Sequence, residues 1–203
     1  MGCPNWQEIV SDNSNDVKGP EYVLSRGGMI MVAHIGCGTW IKRLFNMLGI
    51  SAEVPSSWTR CFVDECCLVP EARYCIPDSQ TWDSFPLSAL FSASNDPFAV
   101  GDTEILLLPT CCGSLCKYMM VASGRASVFL LQARSQTIIK AWDHAVGIIC
   151  VCESGGKVTD WKGNQLNLAA DQVERRIIFP SGGVLVTNGN LHHELLDLIS
   201  FRS

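Results

Sequence analysis

The stretch from Trp142 to Asp160 constrains this chain most. It reads Trp-Asp-His-Ala-Val-Gly-Ile-Ile-Cys-Val-Cys-Glu-Ser-Gly-Gly-Lys-Val-Thr-Asp. From Ala145 to Cys152 no residue carries a charge or an amide side chain. A helix over 143–153 is therefore expected to be apolar on every side, and such helices are buried in a core. Gly155-Gly156 stops it, and Lys157–Asp160 reads as a strand leading away. The first residue of this helix, Asp143, is a carboxylate placed where free backbone N–H groups and the positive end of the helix dipole lie. Pattern alone leaves two readings of Asp143. It is a plain N-cap, a position that favours Asp, or it is a metal ligand held rigidly at the mouth of a buried helix.

Elsewhere the hydrophobic period switches repeatedly. Met29–His34 and Thr39–Leu44 read as strands around a Gly36-Cys37-Gly38 turn, and Arg60–Asp64 as another. Residues 7–26, rich in Ser, Asn, Asp, Gly and Pro, are expected to be a flexible excursion of a β-meander. Short helices are predicted over Glu71–Tyr74 and Gln80–Phe85. Glu104–Leu108 is a compact apolar strand closed by Pro109. Ser114–Ser123 has helical spacing, with Ser114 as N-cap, and Ala126–Leu131 suits a strand. A polar loop through Gly163, Asn164 and Asp171 leads to a strand at Gly183–Thr187 and a closing amphipathic helix at Leu191–Ile199. This alternation predicts an α/β fold with a mixed or parallel sheet flanked by helices.

Composition narrows the class of partner. A 203-residue chain with 47% apolar and 17% charged residues is long enough to bury roughly 70% of its unfolded surface in a globular core. A net charge of −5 argues against a nucleic-acid groove, which needs a basic stripe. No apolar run approaches the roughly 20 residues of a membrane helix, and the first residues show no targeting pattern. Eleven cysteines form no Cys-x-x-Cys pair and no Cys/His cluster at zinc spacing. An intracellular, reducing compartment with free thiols is expected rather than a disulfide scaffold.

Four ordered segments carry a resemblance. Trp142-Asp143-His144-Ala145, the apolar helix and Glu153-x-Gly155-Gly156-x-Val158-Thr159-Asp160 resemble the C-terminal signature of the inositol monophosphatase superfamily. Ser114-Leu115-Cys116-Lys117-Tyr118 with Ala122–Phe129 resembles the corresponding segment of its 3'(2'),5'-bisphosphate nucleotidase branch, in a plant-type form. Gly2-Cys3-Pro4-Asn5 and the 27–38 hairpin resemble that branch too. The resemblance implies a layered sugar-phosphatase fold: residues 1–65 as the β-meander remnant of an N-terminal domain, and 66–203 as a C-terminal α/β domain. It implies Asp143 as a magnesium ligand and Ser114, Lys117 and Arg134 as contacts to adenosine 3',5'-bisphosphate. Hydrolysis to AMP and phosphate, inhibition by lithium and a role in sulfur metabolism are implied with them. From the residues themselves, Ser114 and Lys117 are equally an N-cap serine and a solvated lysine sharing a helix face.

Some family features are not met. The family's paired glutamates and its Asp-Pro-Ile/Leu-Asp-Gly-Thr loop lie upstream of the matching region. Asp96-Pro97-Phe98-Ala99-Val100-Gly101-Asp102-Thr103 has similar letters but the wrong spacing, and reads as a turn. Leu131 stands where the branch places a basic residue, with Arg134 slightly beyond. The family's upstream acids being absent, this chain alone is expected to be inactive or nearly so, as a truncated family member. Alternatives are an inositol phosphate phosphatase and a non-catalytic product that pairs through an exposed sheet edge. His144 is expected to be a packed imidazole, Trp142 a packing anchor at the helix start, and Asp160 a turn cap.

Overall fold

A computed structural model describes residues 1–11, 22–45, 57–97, 103–110, 113–134, 138–174 and 176–201. Strands β1 (Gly2–Ser11), β2 (Tyr22–His34), β3 (Gly38–Phe45) and β4 (Thr59–Cys61) form a four-stranded antiparallel meander in that order. The excursion expected over 7–26 is shorter than the composition implied, because Ser11 already pairs with Tyr22. Backbone hydrogen bonding between the Gln7–Ser11 and Tyr22–Arg26 runs prevails there, and the densest turn residues, Asp12–Asp16 with Gly19 and Pro20, lie outside the described residues.

The chain continues through β5 (Arg73–Cys75), β6 (Ser92–Ser94), β7 (Glu104–Leu107), helix α1 (Ser114–Ala122), β8 (Val128–Gln132) and β9 (Ile139–Lys140). It ends with α2 (Trp142–Glu153), β10 (Lys157–Asp160), β11 (Ile177–Ile178), β12 (Gly183–Thr187) and α3 (His192–Ser200). Six strands make a mixed sheet in the order β10-β12-β8-β5-β7-β6. Its β6, β7, β5 and β8 pair in parallel, and β12 pairs antiparallel with both β8 and β10, so β12 runs counter to the other five. A two-stranded ribbon pairs β9 with β11.

The helix predicted over 71–74 is replaced by the central strand β5. The 3₁₀ turn at Val69–Glu71 ends at an extended Ala72, and burial of Tyr74 and Cys75 on opposite faces makes the segment a strand. The 80–85 helix contracts to a 3₁₀ turn at Trp82–Ser84.

Alternation along β8 and β12 fixes the layers. Phe129, Leu131, Val184 and Val186 face one core with α1, α2 and the inner face of the meander; Val128, Leu130 and Leu185 face a second core with α3. The order is meander, α1 with α2, six-stranded sheet, α3. Glu153 ties the first two layers by accepting hydrogen bonds from Gly36 N and Gly38 N (2.9 and 3.0 Å), and Thr39 Oγ1 donates to Cys150 O (2.8 Å).

Helix α2 is not buried all round. His144, Gly147, Cys150 and Val151 are buried, whereas Trp142, Val146 and Ile149 form an exposed stripe. The eight cysteines with described side chains are free thiols, in keeping with the sequence reading. No helix among the described residues is long and apolar enough to cross a membrane.

Asp160 is the turn cap the sequence indicated: its Oδ1 accepts from Lys162 N and Asn164 N, and Oδ2 from Asn164 Nδ2 and Ser181 N. His192 pins α3 to the sheet. Thr159 Oγ1 donates to Asp160 O, so it accepts from His192 Nε2 (3.0 Å), leaving Nδ1 to accept from Thr187 Oγ1 (2.9 Å). Burial, with Lys157 nearby, pushes this imidazole down to about 4. Its folded value lies below the unfolded one, so the neutral ring stabilises the fold fully above pH 6.5, and that stabilisation is lost as pH falls toward 4. Urea unfolding between pH 7 and 4 should show stability falling, by up to about 3 kcal/mol from this group. His192→Gln should flatten that slope while lowering stability at neutral pH.

Candidate functional site

Two helices and three strand ends converge at one edge of the molecule. Segment 62–64 locates them: Val63 N donates to Ser154 O just past α2 (3.1 Å), and Arg73 bridges Asp64 to Gly124 O just past α1 (2.8 Å each). The carboxyl ends of α1 and α2 therefore lie together. The helices also touch near their amino halves, where the Tyr118 hydroxyl and His144 Nδ1 are hydrogen-bonded at 2.8 Å. They run side by side in the same sense, with both amino ends at the opposite edge. Because α1 follows β7, that edge is also the carboxyl-end edge of the parallel strands β5, β7 and β8, where open α/β sheets hold their ligands.

Gly147 makes this packing possible. A Cβ there would lie 2.3 Å from Tyr118 Cγ, so only a residue without one lets the helices approach so closely. His144 is buried against Tyr118, edge to face at 5.6 Å, and burial pushes its ring down to about 4 against the opposing pull of Asp143. A neutral, enclosed imidazole agrees with the packed role read from the sequence.

Asp143 is the second residue of α2, not its cap. Ala141 stands at the N-cap position, and no side-chain cap bond forms. The Asp143 side chain is exposed and makes no hydrogen bond or ion pair among the described residues. It lies in the first turn, where the dipole favours a carboxylate, with both oxygens open to a ligand. Trp142 beside it is half-exposed, with Lys140 Nζ 5.4 Å from its ring centroid, and so is not the packing anchor expected.

On α1, Gly113 rather than Ser114 occupies the N-cap position. Its φ of 91° is one that a side chain resists. Ser114 is the first helical residue, half-buried, with its hydroxyl unengaged among the described residues. Lys117 is not a solvated lysine: its side chain is 2% exposed, with Nζ 3.5 Å from Gly113 O and 3.5 Å from Asp78 Oδ1. Thr110 Oγ1 also reaches Asp78 Oδ1 (3.5 Å). Asp78 follows β5 and Thr110 follows β7, so the two strand ends and the buried ammonium close one side of the site.

Neither Asp78 nor Thr110 carries a sequence signal. Only their positions after parallel strands, flanked by Pro77 and Pro109, mark them. Arg134 is exposed beyond β8 and donates to Ser84 Oγ (3.4 Å), making no hydrogen bond or ion pair with Ser114, Lys117 or Asp143 among the described residues. Asp96 lies on an exposed turn after β6, with its N–H donating to Ser94 Oγ (3.0 Å); residues 98–102 of that motif lie outside the described residues.

Comparison with known proteins follows the same lines. A profile described as the inositol monophosphatase family matches residues 60–202. A mitochondrial protein of Arabidopsis thaliana, provisionally named 3'(2'),5'-bisphosphate nucleotidase, is 58% identical over 203 residues, covering 100% of this chain and 47% of its own length. A second Arabidopsis protein, named 3',5'-bisphosphate nucleotidase AHL, is 30% identical over 198 residues, covering 91% of this chain and 49% of its own length. The chain thus spans about half the length of these curated relatives. Among solved structures, SuhB of Mycobacterium tuberculosis superposes with a TM-score of 0.53 at 14% identity, covering 90% of this chain and 65% of that one, and shares the fold.

Gly147→Ala should push the helices apart and lower unfolding free energy by about 1–3 kcal/mol. Urea denaturation of this variant, of Tyr118→Ala and of the double variant should give a sub-additive cycle, since alanine lacks the ring carbons that the added Cβ would strike.

Proposed function

This chain belongs to the inositol monophosphatase family, and from that membership we propose that it carries one wall of the site of a magnesium-dependent 3'(2'),5'-bisphosphate nucleotidase. The reaction is hydrolysis of adenosine 3',5'-bisphosphate to AMP and phosphate. The observation that carries this reading is the unengaged Asp143 carboxylate at the mouth shared by the amino ends of α1 and α2. The identity to the Arabidopsis relatives supports the nucleotide branch over an inositol phosphate substrate.

Asp143 fits magnesium as one hard oxygen donor, the kind of ligand that this ion takes alongside waters and substrate phosphates. Among the described residues no group of three His, Cys, Asp or Glu side chains gathers to hold a metal. Further carboxylates outside the described residues would complete the set, and with Asp143 alone the protein is expected to turn over little or nothing. A bound cation would polarise a phosphate oxygen and acidify a water.

The chain's own groups do the rest. The free N–H groups at the start of α1 and the Ser114 hydroxyl are aimed at an anion, and Lys117 supplies a fixed positive charge behind them. The ion pair with Asp78 holds that ammonium at the rim instead of letting it follow solvent. Arg134, on its exposed loop, is the outer basic contact in this reading. Residues 1–65 and 66–203 are the contributions of two domains to the whole enzyme. A reducing intracellular compartment, the mitochondrion by analogy with the 58%-identical relative, and removal of a sulfotransfer by-product are the setting.

The test is binding rather than turnover. Calorimetric titration of the 203-residue protein with AMP should show affinity that rises in magnesium. Asp143→Asn should abolish the magnesium dependence, and Lys117→Met should weaken AMP at least tenfold in either condition. AMP binding that ignores magnesium and both substitutions would overturn the assignment. Adenosine 3',5'-bisphosphate turnover at an ordinary enzyme rate by this chain alone, lost on Asp143→Asn, would overturn the claim that further carboxylates are needed.

A further inference from the structure

The turn after β5 is fixed to the sheet from two sides. Gln80 N donates to Pro77 O (2.9 Å), closing a turn with Asp78 at its first corner. The buried Gln80 side chain then exchanges two hydrogen bonds with the backbone at the end of β8. Its Nε2 donates to Gln132 O (2.8 Å) and its Oε1 accepts from Gln132 N (3.0 Å). An amide used in this way continues the sheet by one side chain and holds the turn against it. The corner held in place is Asp78, whose side chain is 51% exposed.

Asp78 is the outer member of an unequal ion pair. Lys117 is 2% exposed, and Asp78 Oδ1 lies 3.5 Å from both Lys117 Nζ and Thr110 Oγ1. Burying an ammonium is costly without a counter-charge, and Asp78 offsets that cost. The face that the pair turns to solvent is therefore the carboxylate, and Asp78 Oδ2 accepts no hydrogen bond among the described residues. The same ammonium lies 3.5 Å from Gly113 O at the N-cap position of α1, so Asp78 stands beside the start of that helix. A ligand entering there meets an acceptor at the rim and a cation behind it.

That order bears on what the ligand carries next to its phosphate. A second phosphate over Asp78 would set like charges together, with the Lys117 charge already offset. A hydroxyl would instead donate to Oδ2, and hydrogen bonds to an ionised acceptor are roughly twice as strong as neutral ones. In dinucleotide-binding α/β sheets an acid accepts from a ribose hydroxyl, and a nearby Arg admits a phosphate instead. Given the phosphate site proposed at the start of α1, we infer that Asp78 is a specificity-determining residue. Its outer oxygen accepts a hydrogen bond from a sugar hydroxyl of the ligand and turns a second phosphate away from that position. The ligand class is a sugar phosphomonoester that keeps a free hydroxyl within reach of Asp78. Adenosine 3',5'-bisphosphate offers its 2'-hydroxyl, and AMP its 2'- and 3'-hydroxyls.

The test compares AMP with 2',3'-dideoxyadenosine 5'-monophosphate, which has the same base and phosphate and no sugar hydroxyl. In calorimetric titrations of the 203-residue protein, AMP should bind about tenfold more tightly than the dideoxy form. Asp78→Ala should bring the two ligands within about twofold of each other. Asp78→Ala combined with Lys117→Met should do the same, and this second variant leaves no unpaired ammonium in the core. The ratio of two ligands on one sample does not depend on how much of the protein is folded. Asp78→Asn should also bind inorganic pyrophosphate about threefold more tightly in the absence of magnesium, a gain that loss of structure does not produce. Discrimination that survives Asp78→Ala, while Lys117→Met still weakens AMP, would overturn this inference and leave the phosphate site standing. So would a loss of pyrophosphate affinity in Asp78→Asn. AMP binding indifferent to Lys117→Met, or no AMP binding at all, would overturn both.

Discussion

The close approach of α1 and α2 at Gly147 is the constraint on which the rest of the arrangement depends. With no Cβ at that position the Tyr118 ring lies directly on the α2 backbone, and the Tyr118–His144 hydrogen bond fixes how far each helix can slide. Their carboxyl ends are held by a different device. Asp64 accepts from Arg73, Ser127 and Asn188, joining the 62–64 segment to β5, β8 and β12. Burial raises its carboxyl, but these three hydrogen bonds and the Arg73 charge outweigh that and hold it below the usual carboxylate range. Pinned at one end and packed at the other, the two helices must open their amino ends at the same edge.

Four other acids in the fold are committed to structure in recognisable ways. Asp64 is a hydrogen-bonded hub, Glu153 clamps the meander turn, and Asp160 closes the loop after β10. Each accepts at least two donors. Asp78 is tied to Thr110 and Lys117. Asp143 differs from all of these because no donor satisfies it, although it stands beside a helix amino end and next to a buried imidazole. A carboxylate in such a place is favoured by the dipole even without a bond, and it is open to a ligand. Its distinction lies in that combination rather than in burial, which the apolar run after it had implied.

Much of this was legible in the chain, and what was not has physical causes. The strands around 29–44, 104–107, 157–160 and 183–187 and the helices α1, α2 and α3 follow from period and turn residues, although α2, apolar from Ala145 to Cys152, leaves Trp142, Val146 and Ile149 exposed. β5 escaped because three residues are too few to show a period, and its place at the sheet centre is set by partners thirty and more residues away. Lys117 read as solvated because one helix face cannot reveal that strand ends will close over it. The pairing of Ser114 and Asp143 at one edge is a tertiary fact. It depends on the residues after each helix meeting segment 62–64, a contact between stretches with no shared pattern. Asp143 itself was visible, but its capping role was not separable from ligation until Ala141 was found in the cap position.

The electrostatics of this edge bear on the order in which ligands would arrive. On the proposed reading, two helix amino ends and the Lys117 ammonium would favour a phosphate even without a metal. A divalent cation faces the opposite situation, since one carboxylate must overcome two dipole ends of its own sign. It gains most when a phosphate is already there to share it, for then the cation bridges two anions instead of opposing two positive poles. Such bridging would raise both affinities by the same factor, because linkage between two ligands is reciprocal. On that reading, added carboxylates would serve less to attract the substrate than to hold the cation.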